Sequence, residues 1–274
     1  IKNISASFDC CELYFSAKPS GATNYDLFFI RKNNGKWSSP ERFMSVLNSE
    51  ADEFWPSMSS DGQTLFFVRQ TEKKTAKRTK VESSMCYSMR TTDGNWEKPL
   101  LLTFSTGEDI SPRIMSDNKT LFFASKRVTE QKKKNNYALF FAKRISRYDW
   151  FSPTLVEQSN FSHTNSFSPS CAFDADSLFF VKQFCDKKDT TYSVGSVALK
   201  NQEMLTPTIC YTGKVADNKG KALSADIYVY NAITSEMIAQ HRCDYQGYFR
   251  LALPSGYNYK IDFTLPNFSH VYKT

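Results

Sequence analysis

The amino-acid sequence predicts an all-β chain, and three observations carry the prediction. Apolar residues come in short bursts, as in Leu65-Phe66-Phe67 and Leu121-Phe122-Phe123, too brief for helices and suited to strands buried on both faces. Aromatics are abundant, with 23 Phe and 14 Tyr, while Ala and Leu form no long helix-spaced series. One pattern also returns along the chain, the mark of a repeat architecture in which each unit buries its faces only against its neighbours.

The repeat is legible residue by residue. Trp55-Pro56-Ser57-Met58-Ser59-Ser60-Asp61-Gly62 leads through Gln63-Thr64 to Leu65-Phe66-Phe67, and Ser111-Pro112-Arg113-Ile114-Met115-Ser116-Asp117-Asn118 leads through Lys119-Thr120 to Leu121-Phe122-Phe123. A third copy runs from Ser168-Pro169 through Asp174 to Leu178-Phe179-Phe180, and a worn one from Ile4 through Asp9 to Leu13-Tyr14-Phe15. Asp9, Asp61, Asp117 and Asp174 thus recur at roughly 55-residue spacing. Asp-Gly or Asp-Asn between apolar runs supplies the positive φ of a tight turn. Pro at the head of each first strand is tolerable there and not inside a central strand.

A second half repeats as well: Tyr25-Asp26-Leu27-Phe28-Phe29 then Trp37, Cys86-Tyr87-Ser88-Met89 then Trp96, Tyr137-Ala138-Leu139-Phe140-Phe141 then Trp150. The fourth copy keeps Tyr192 to Leu199 without a Trp. Two hairpins per repeat make a four-stranded blade, and the three tryptophans are expected to pack at its outer strand. These residues resemble the PD40 (WD40-like, TolB-type) repeat over roughly residues 1–208. The resemblance implies a β-propeller, four-bladed by the visible copies or five-bladed if one is degenerate, since the first copy is clipped at Ile1.

From residue 209 to 274 the pattern changes. Tyr211-Thr212-Gly213-Lys214-Val215-Ala216-Asp217, Ala225-Asp226-Ile227-Tyr228-Val229-Tyr230, Asp244-Tyr245-Gln246-Gly247-Tyr248-Phe249 and Leu253-Pro254-Ser255-Gly256 alternate as strands broken by Gly or Asn, enough for a small β-sandwich. This module resembles the carboxypeptidase regulatory-like domain, a non-catalytic support. A propeller followed by this sandwich is similar to OmpA-family envelope lipoproteins of Bacteroidetes-type bacteria, some accessory to type IX secretion. That resemblance implies a periplasmic location, outer-membrane association through a lipidated N-terminus, and peptidoglycan contact only through a C-terminal domain that this sequence lacks.

Several chemistries are not supported. His163, His241 and His270 stand at no metal-ligand spacing, and neither a GxSxG elbow nor a phosphate-cradling Gly loop is found among only 10 Gly. No metal or cofactor is expected. Seven scattered cysteines without a CxxC are read as buried small hydrophobes, with vicinal Cys10 and Cys11 on opposite faces of a strand. No apolar run reaches the roughly 18 residues that span a bilayer, so membrane insertion by this chain is not expected.

The remaining candidates are charged. Asp52, Glu53, Glu108 and Asp109 precede first strands, the innermost of a blade, and are candidate channel-mouth ligand groups; the fourth copy has Asn165 and Ser166 there. Paired carboxylates at an axis are also how a propeller glycosidase works, which makes a carbohydrate-active enzyme the alternative reading. The +7 net charge is concentrated at Lys73, Lys74, Lys77, Arg78 and Lys80, at Lys126, Arg127, Lys132, Lys133 and Lys134, and at Lys187 and Lys188. All lie between second and third strands, predicting a basic rim on one face that steers an anionic partner. With no interleaved aromatics for base stacking, nucleic acid is not the expected partner. The sequence thus points to a non-enzymatic scaffold engaging an envelope protein, peptide or glycan.

Overall fold

A computed structural model describes the chain except for residues 44–45, 75–78, 92, 130–135, 160–163, 172–175, 186–188, 200–204, 266–270 and 274, with backbone only at 73–74 and 271–273. The first repeat forms β1 (Lys2–Ala6), β2 (Glu12–Ala17), β3 (Asp26–Asn33), β4 (Lys36–Trp37) and β5 (Glu41–Arg42), ordered β1-β2-β3 with β4 and β5 both on β3. The second forms β6 (Asp52–Met58), β7 (Thr64–Lys74), β8 (Thr79–Met89) and β9 (Leu100–Leu101). The third forms β10 (Asp109–Ile114), β11 (Thr120–Ser125), β12 (Ala138–Lys143) and β13 (Thr154–Leu155). The fourth contributes β14 (Thr164–Cys171), β15 (Ser177–Cys185) and β16 (Thr190–Ala198), one strand fewer than expected among the described residues.

Each repeat is therefore one antiparallel sheet, and the sheets stack as propeller blades. The apolar triplets explain the stacking, since Leu65, Phe66 and Phe67, like Leu121, Phe122 and Phe123, are wholly buried with side chains on both faces. One apolar cluster joins the first sheet to the second through Tyr14, Leu27, Phe29, Leu65 and Phe67. Others join the second to the third and the third to the fourth. At ~1.5–3 kcal/mol per buried large side chain, these seams outweigh any single polar contact in the fold. Among the described residues the last sheet has a neighbour on one side only: Leu178 and Phe180 are buried, while Phe179 is 43% exposed.

The Asp turns form as their chemistry dictates. Asp61 accepts from the Gln63 amide at 2.9 Å and Asp117 from those of Lys119 and Thr120, with Gly62 and Asn118 at φ 69° and 55°. Asp9 accepts from the Cys11 amide in the same way, so Cys10 takes the left-handed position at φ 60°. The two cysteines lie in a turn before β2, and the expectation of a strand there is corrected. The prolines also differ from expectation, because Pro56, Pro112 and Pro169 sit inside β6, β10 and β14. They are tolerated there because the ladder skips two residues, jumping from Phe54 to Ser57, Ile110 to Arg113 and Phe167 to Ser170, so no ladder N–H is missed.

The tryptophans stand on the hairpin extension before the outer strand. Trp96 and Trp150 pack into inter-sheet clusters under the guanidinium groups of Arg90 and Arg144, whereas Trp37 is 44% exposed. After the propeller come β17 (Thr208–Lys214), β18 (Asp226–Asn231), β19 (Met237–Arg242), β20 (Tyr248–Pro254), β21 (Tyr259–Thr264) and β22 (Val271–Lys273). Strands β17 and β20 pair as one sheet and β19-β18-β21-β22 as another, closing on Ile227, Val229, Leu251, Leu253 and Ile261.

Candidate functional site

The predicted carboxylates are part of the framework. Glu53 is fully buried and meets Arg69 Nε, its partner across the β6–β7 ladder, at 2.8 Å; it also accepts from the Ser49 hydroxyl at 2.5 Å and the Ser49 amide at 3.2 Å. Burial raises its pKa above the ordinary carboxyl range, against the hydrogen bonds from Ser49 and Arg69. Asp109 repeats the arrangement in the third sheet, fully buried, 3.0 Å from Arg127 and accepting from the Thr106 amide at 2.7 Å and the Ser105 hydroxyl at 3.3 Å. In the fourth, Ser166 is buried and donates to the Ser159 carbonyl at 2.9 Å.

Asp52 has a different task. Its carboxylate accepts the Tyr25 amide at 2.7 Å, while the Glu53 amide donates to the Tyr25 carbonyl at 2.8 Å, joining the first sheet to the second. Asn165 and Ser166 make the same two bonds to Tyr137 between the third and fourth. Glu108 forms an isolated bridge with Ser83 at the equivalent junction. None of the four carboxylates lines a cavity on the axis. Glu53 and Asp109 do not face a channel mouth as expected: both point into the blade, because an arginine on the neighbouring strand or just beyond it claims each.

Of the predicted basic rim, Lys73 and Lys74 lie in β7 and Lys80 in β8, where exposed Lys80 pairs with Glu82 at 3.8 Å. Lys77, Arg78, Lys132, Lys133 and Lys134, and also Lys187 and Lys188, lie outside the described residues. Arg127 is the Asp109 brace, and Lys126 lies 4.9 Å from the Tyr137 ring. The acidic starts of β6 and β10 pair with the far ends of β7 and β11, so both groups belong to one face of the propeller.

The opposite face, carrying the Asp turns, is where the sandwich docks. Thr206 donates its amide to Asp117 at 3.2 Å, the Thr208 and Ser116 hydroxyls meet at 2.7 Å, and the Arg250 guanidinium reaches the Phe8 ring at 5.6 Å and the Cys10 thiol at 3.9 Å. The half-buried His241 of the sandwich feels the turn residues Asp61 and Asp9, yet desolvation outweighs them and lowers its pKa. Burial pushes the Cys11 and Cys86 thiols up to about 11, which removes them as ready nucleophiles.

The axis itself holds two cavities. One of about 310 Å³ is walled by the residues that the ladder skips in all four inner strands. Asn3, Trp55, Ser111 and Ser168 each stand there at φ 50–53°. This conformation costs a non-glycine residue ~1–3 kcal/mol and persists only where surrounding structure imposes it. The second cavity, about 230 Å³, lies toward the sandwich and has Arg250 in its wall. Arg113 lines both and donates across the axis to Ser5 Oγ at 2.8 Å. Among the described residues, neither wall contains a carboxylate. Sequence reasoning passed over Arg113, although a signal existed: it stands where the sibling repeats have Ser57 and Ser170.

Comparisons with known proteins add fold neighbours. No family model matches the chain, and no curated protein matches it. Among solved structures the chain is similar to a protein described as TolB from Agrobacterium tumefaciens, at 15% identity and TM-score 0.48 over 72% of this chain. It spans 61% of that protein, less than two thirds. A GH43 endo-arabinanase from Bacillus licheniformis matches at 11% identity and TM-score 0.45, covering 73% of each chain. An α-L-arabinanase from Cellvibrio cellulosa matches at 11% identity and TM-score 0.38, over 96% of this chain and 92% of that one. Likenesses of this size carry no argument about activity.

Proposed function

We propose that this chain is a non-enzymatic binding scaffold of the cell envelope, whose propeller holds a protein, peptide or glycan while the sandwich supports it from the opposite face. One observation carries the reading: the carboxylates best placed by sequence for catalysis hold the fold together. A glycosidase needs two carboxyl groups that reach the sugar, one to protonate and one to attack or activate water. Glu53 and Asp109 are each buried against an arginine, and the axial walls carry serines and guanidinium groups. The face bearing Lys73, Lys74 and Lys80 is turned away from the docked sandwich, which supports its use as a working surface. Periplasmic location, outer-membrane attachment and peptidoglycan contact through a separate domain belong to the proposal through the resemblance to OmpA-family lipoproteins.

Two measurements test it. Arabinan and a panel of aryl glycosides are expected to give no turnover; turnover abolished in folded Glu53→Gln or Asp109→Asn protein would make the chain an enzyme. A pull-down from envelope extracts, with Lys73, Lys74, Lys77, Arg78, Lys80, Lys132, Lys133 and Lys134 reversed to Glu in a second sample, is expected to lose a salt-sensitive partner. An unchanged set of partners would remove the basic rim from the mechanism.

A further inference from the structure

Arg113 is a cation without an anion. A guanidinium has five N–H donors and stays charged at any ordinary pH. Arg69 and Arg127, in neighbouring parts of the same propeller, each face a buried carboxylate. Arg113 has a single hydrogen bond, to Ser5 Oγ at 2.8 Å, and no carboxylate pairs with it among the described residues. Arg113 is half-buried in the cavity wall, and the desolvation it suffers pushes its pKa down with no nearby charge opposing. A partly desolvated charge without a partner costs free energy that an anionic ligand recovers.

The geometry points to a carboxylate-binding site on the propeller axis, with Arg113 as its principal contact and the free C-terminus of a peptide as its ligand. This assignment rests on the scaffold reading and names the ligand class for it. The Arg113 side chain spans from the third sheet to the first at the level where the four inner strands line the outer cavity. A cavity of about 310 Å³ suits a short chain end. A planar carboxylate can take two parallel N–H bonds from the guanidinium fork. Behind it stands Arg250, a second guanidinium facing the inner cavity. Beside the outer wall the Ser111 hydroxyl is buried without a hydrogen-bond partner among the described residues. Ile4, Trp55, Pro56 and Pro112 offer apolar surface for the residues preceding the carboxylate. Apolar walls with a few convergent polar groups make a small-ligand site.

The test uses N-acetyl-dialanine, its C-terminal amide and glucuronate, titrated into the intact chain by calorimetry and tryptophan emission. The peptide acid is expected to bind saturably and at least tenfold more tightly than the amide. Arg113→Gln is expected to abolish that preference, and Trp55→Phe to remove the emission change. Circular dichroism establishes that each variant is folded. Equal affinity for acid and amide in the unsubstituted chain, or no binding of the acid, overturns the proposal without appeal to any variant. Glucuronate binding in preference to the peptide acid overturns the peptide source. Either failure leaves a captured envelope partner standing, so the axial assignment can fall while the scaffold reading survives.

Discussion

Replacing Arg127 by Met keeps an unbranched side chain and removes the guanidinium, which pairs with Asp109 and lies over the Phe123 and Phe140 rings. The carboxylate it leaves behind, Asp109, is fully buried, and Arg127 itself is 13% exposed, so water cannot take over the lost contact cheaply. Breaking a buried pair from one side costs about 3–5 kcal/mol. Asp109 keeps the Thr106 amide at 2.7 Å, which places the expected loss near the lower figure. At ~2–4 °C per kcal/mol for a unit of this size, the melting midpoint should fall by roughly 6–12 °C. The control is Arg147→Met, which breaks the pair with Glu97 at 2.6 Å where the side chains are 53% and 30% exposed; about 0–1 kcal/mol is expected. Urea unfolding and thermal melts measure both. The cycle with Asp109→Asn adds a second constraint, because partners in contact should couple by ~0.5–3 kcal/mol. A loss below about 1 kcal/mol for Arg127→Met, or strictly additive single substitutions, would refute the brace and reopen Asp109 as a ligand-facing group.

Three further outcomes follow from other parts of the molecule. Cys10 occupies the left-handed turn position that Gly62 holds in the second repeat, so Cys10→Gly should stabilise the chain by ~1 kcal/mol in urea titrations, and a destabilised variant would contradict the turn assignment. Phe122 and Phe179 share one position of the repeat but are 0% and 43% exposed; Phe122→Ala should cost ~3–5 kcal/mol and Phe179→Ala less than half of that, and equal losses would mean that the last sheet is covered. The His241 pKa lies below its unfolded value near 6.5, so the folded form resists protonation and stability should drop as pH falls from about 6.5 through the native value. His241→Gln should flatten that arm of the melting-versus-pH curve, and an unchanged slope would assign it to other groups.

How far the fold was legible follows from what each signal depends on. The Asp turns and apolar triplets are local, and among the described residues both appear where the sequence puts them; the turn at Asp174 lies outside those residues. Leu178-Phe179-Phe180 reads like the earlier triplets yet differs in burial, because burial on the second face depends on whether another sheet follows, and no local pattern encodes that. The prolines sit deep within strands because the two-residue skip of the ladder is a property of pairing, invisible in one strand alone. The carboxylates show the same limit. The sequence places them before first strands, but their partners lie across or beyond the ladder, as Arg69 does opposite Glu53, and only the register brings them together. Arg113 was within reach, since a charge at a position that is serine in the sibling repeats is an exception worth explaining.

The repeat also explains why the axis, rather than the acidic pairs, is left for recognition. A position reproduced in several sheets solves a problem every sheet has, and joining neighbouring sheets is such a problem: the Asp52 and Asn165 side chains take the same amide bond, and Glu53 and Asp109 take the same arginine brace. A position that departs from its siblings is free of that duty. The four inner strands converge with their skipped residues around a common centre, so each can present its own side chain there, Trp55 also packing against two of the seams. Asn3, Trp55 and the serines Ser111 and Ser168 carry three kinds of side chain on one backbone conformation, and Arg113 differs from Ser57 and Ser170 beside them. Conformation is held constant at the axis and chemistry is varied, which is the arrangement that lets a repeat scaffold acquire a specific ligand without rebuilding its core.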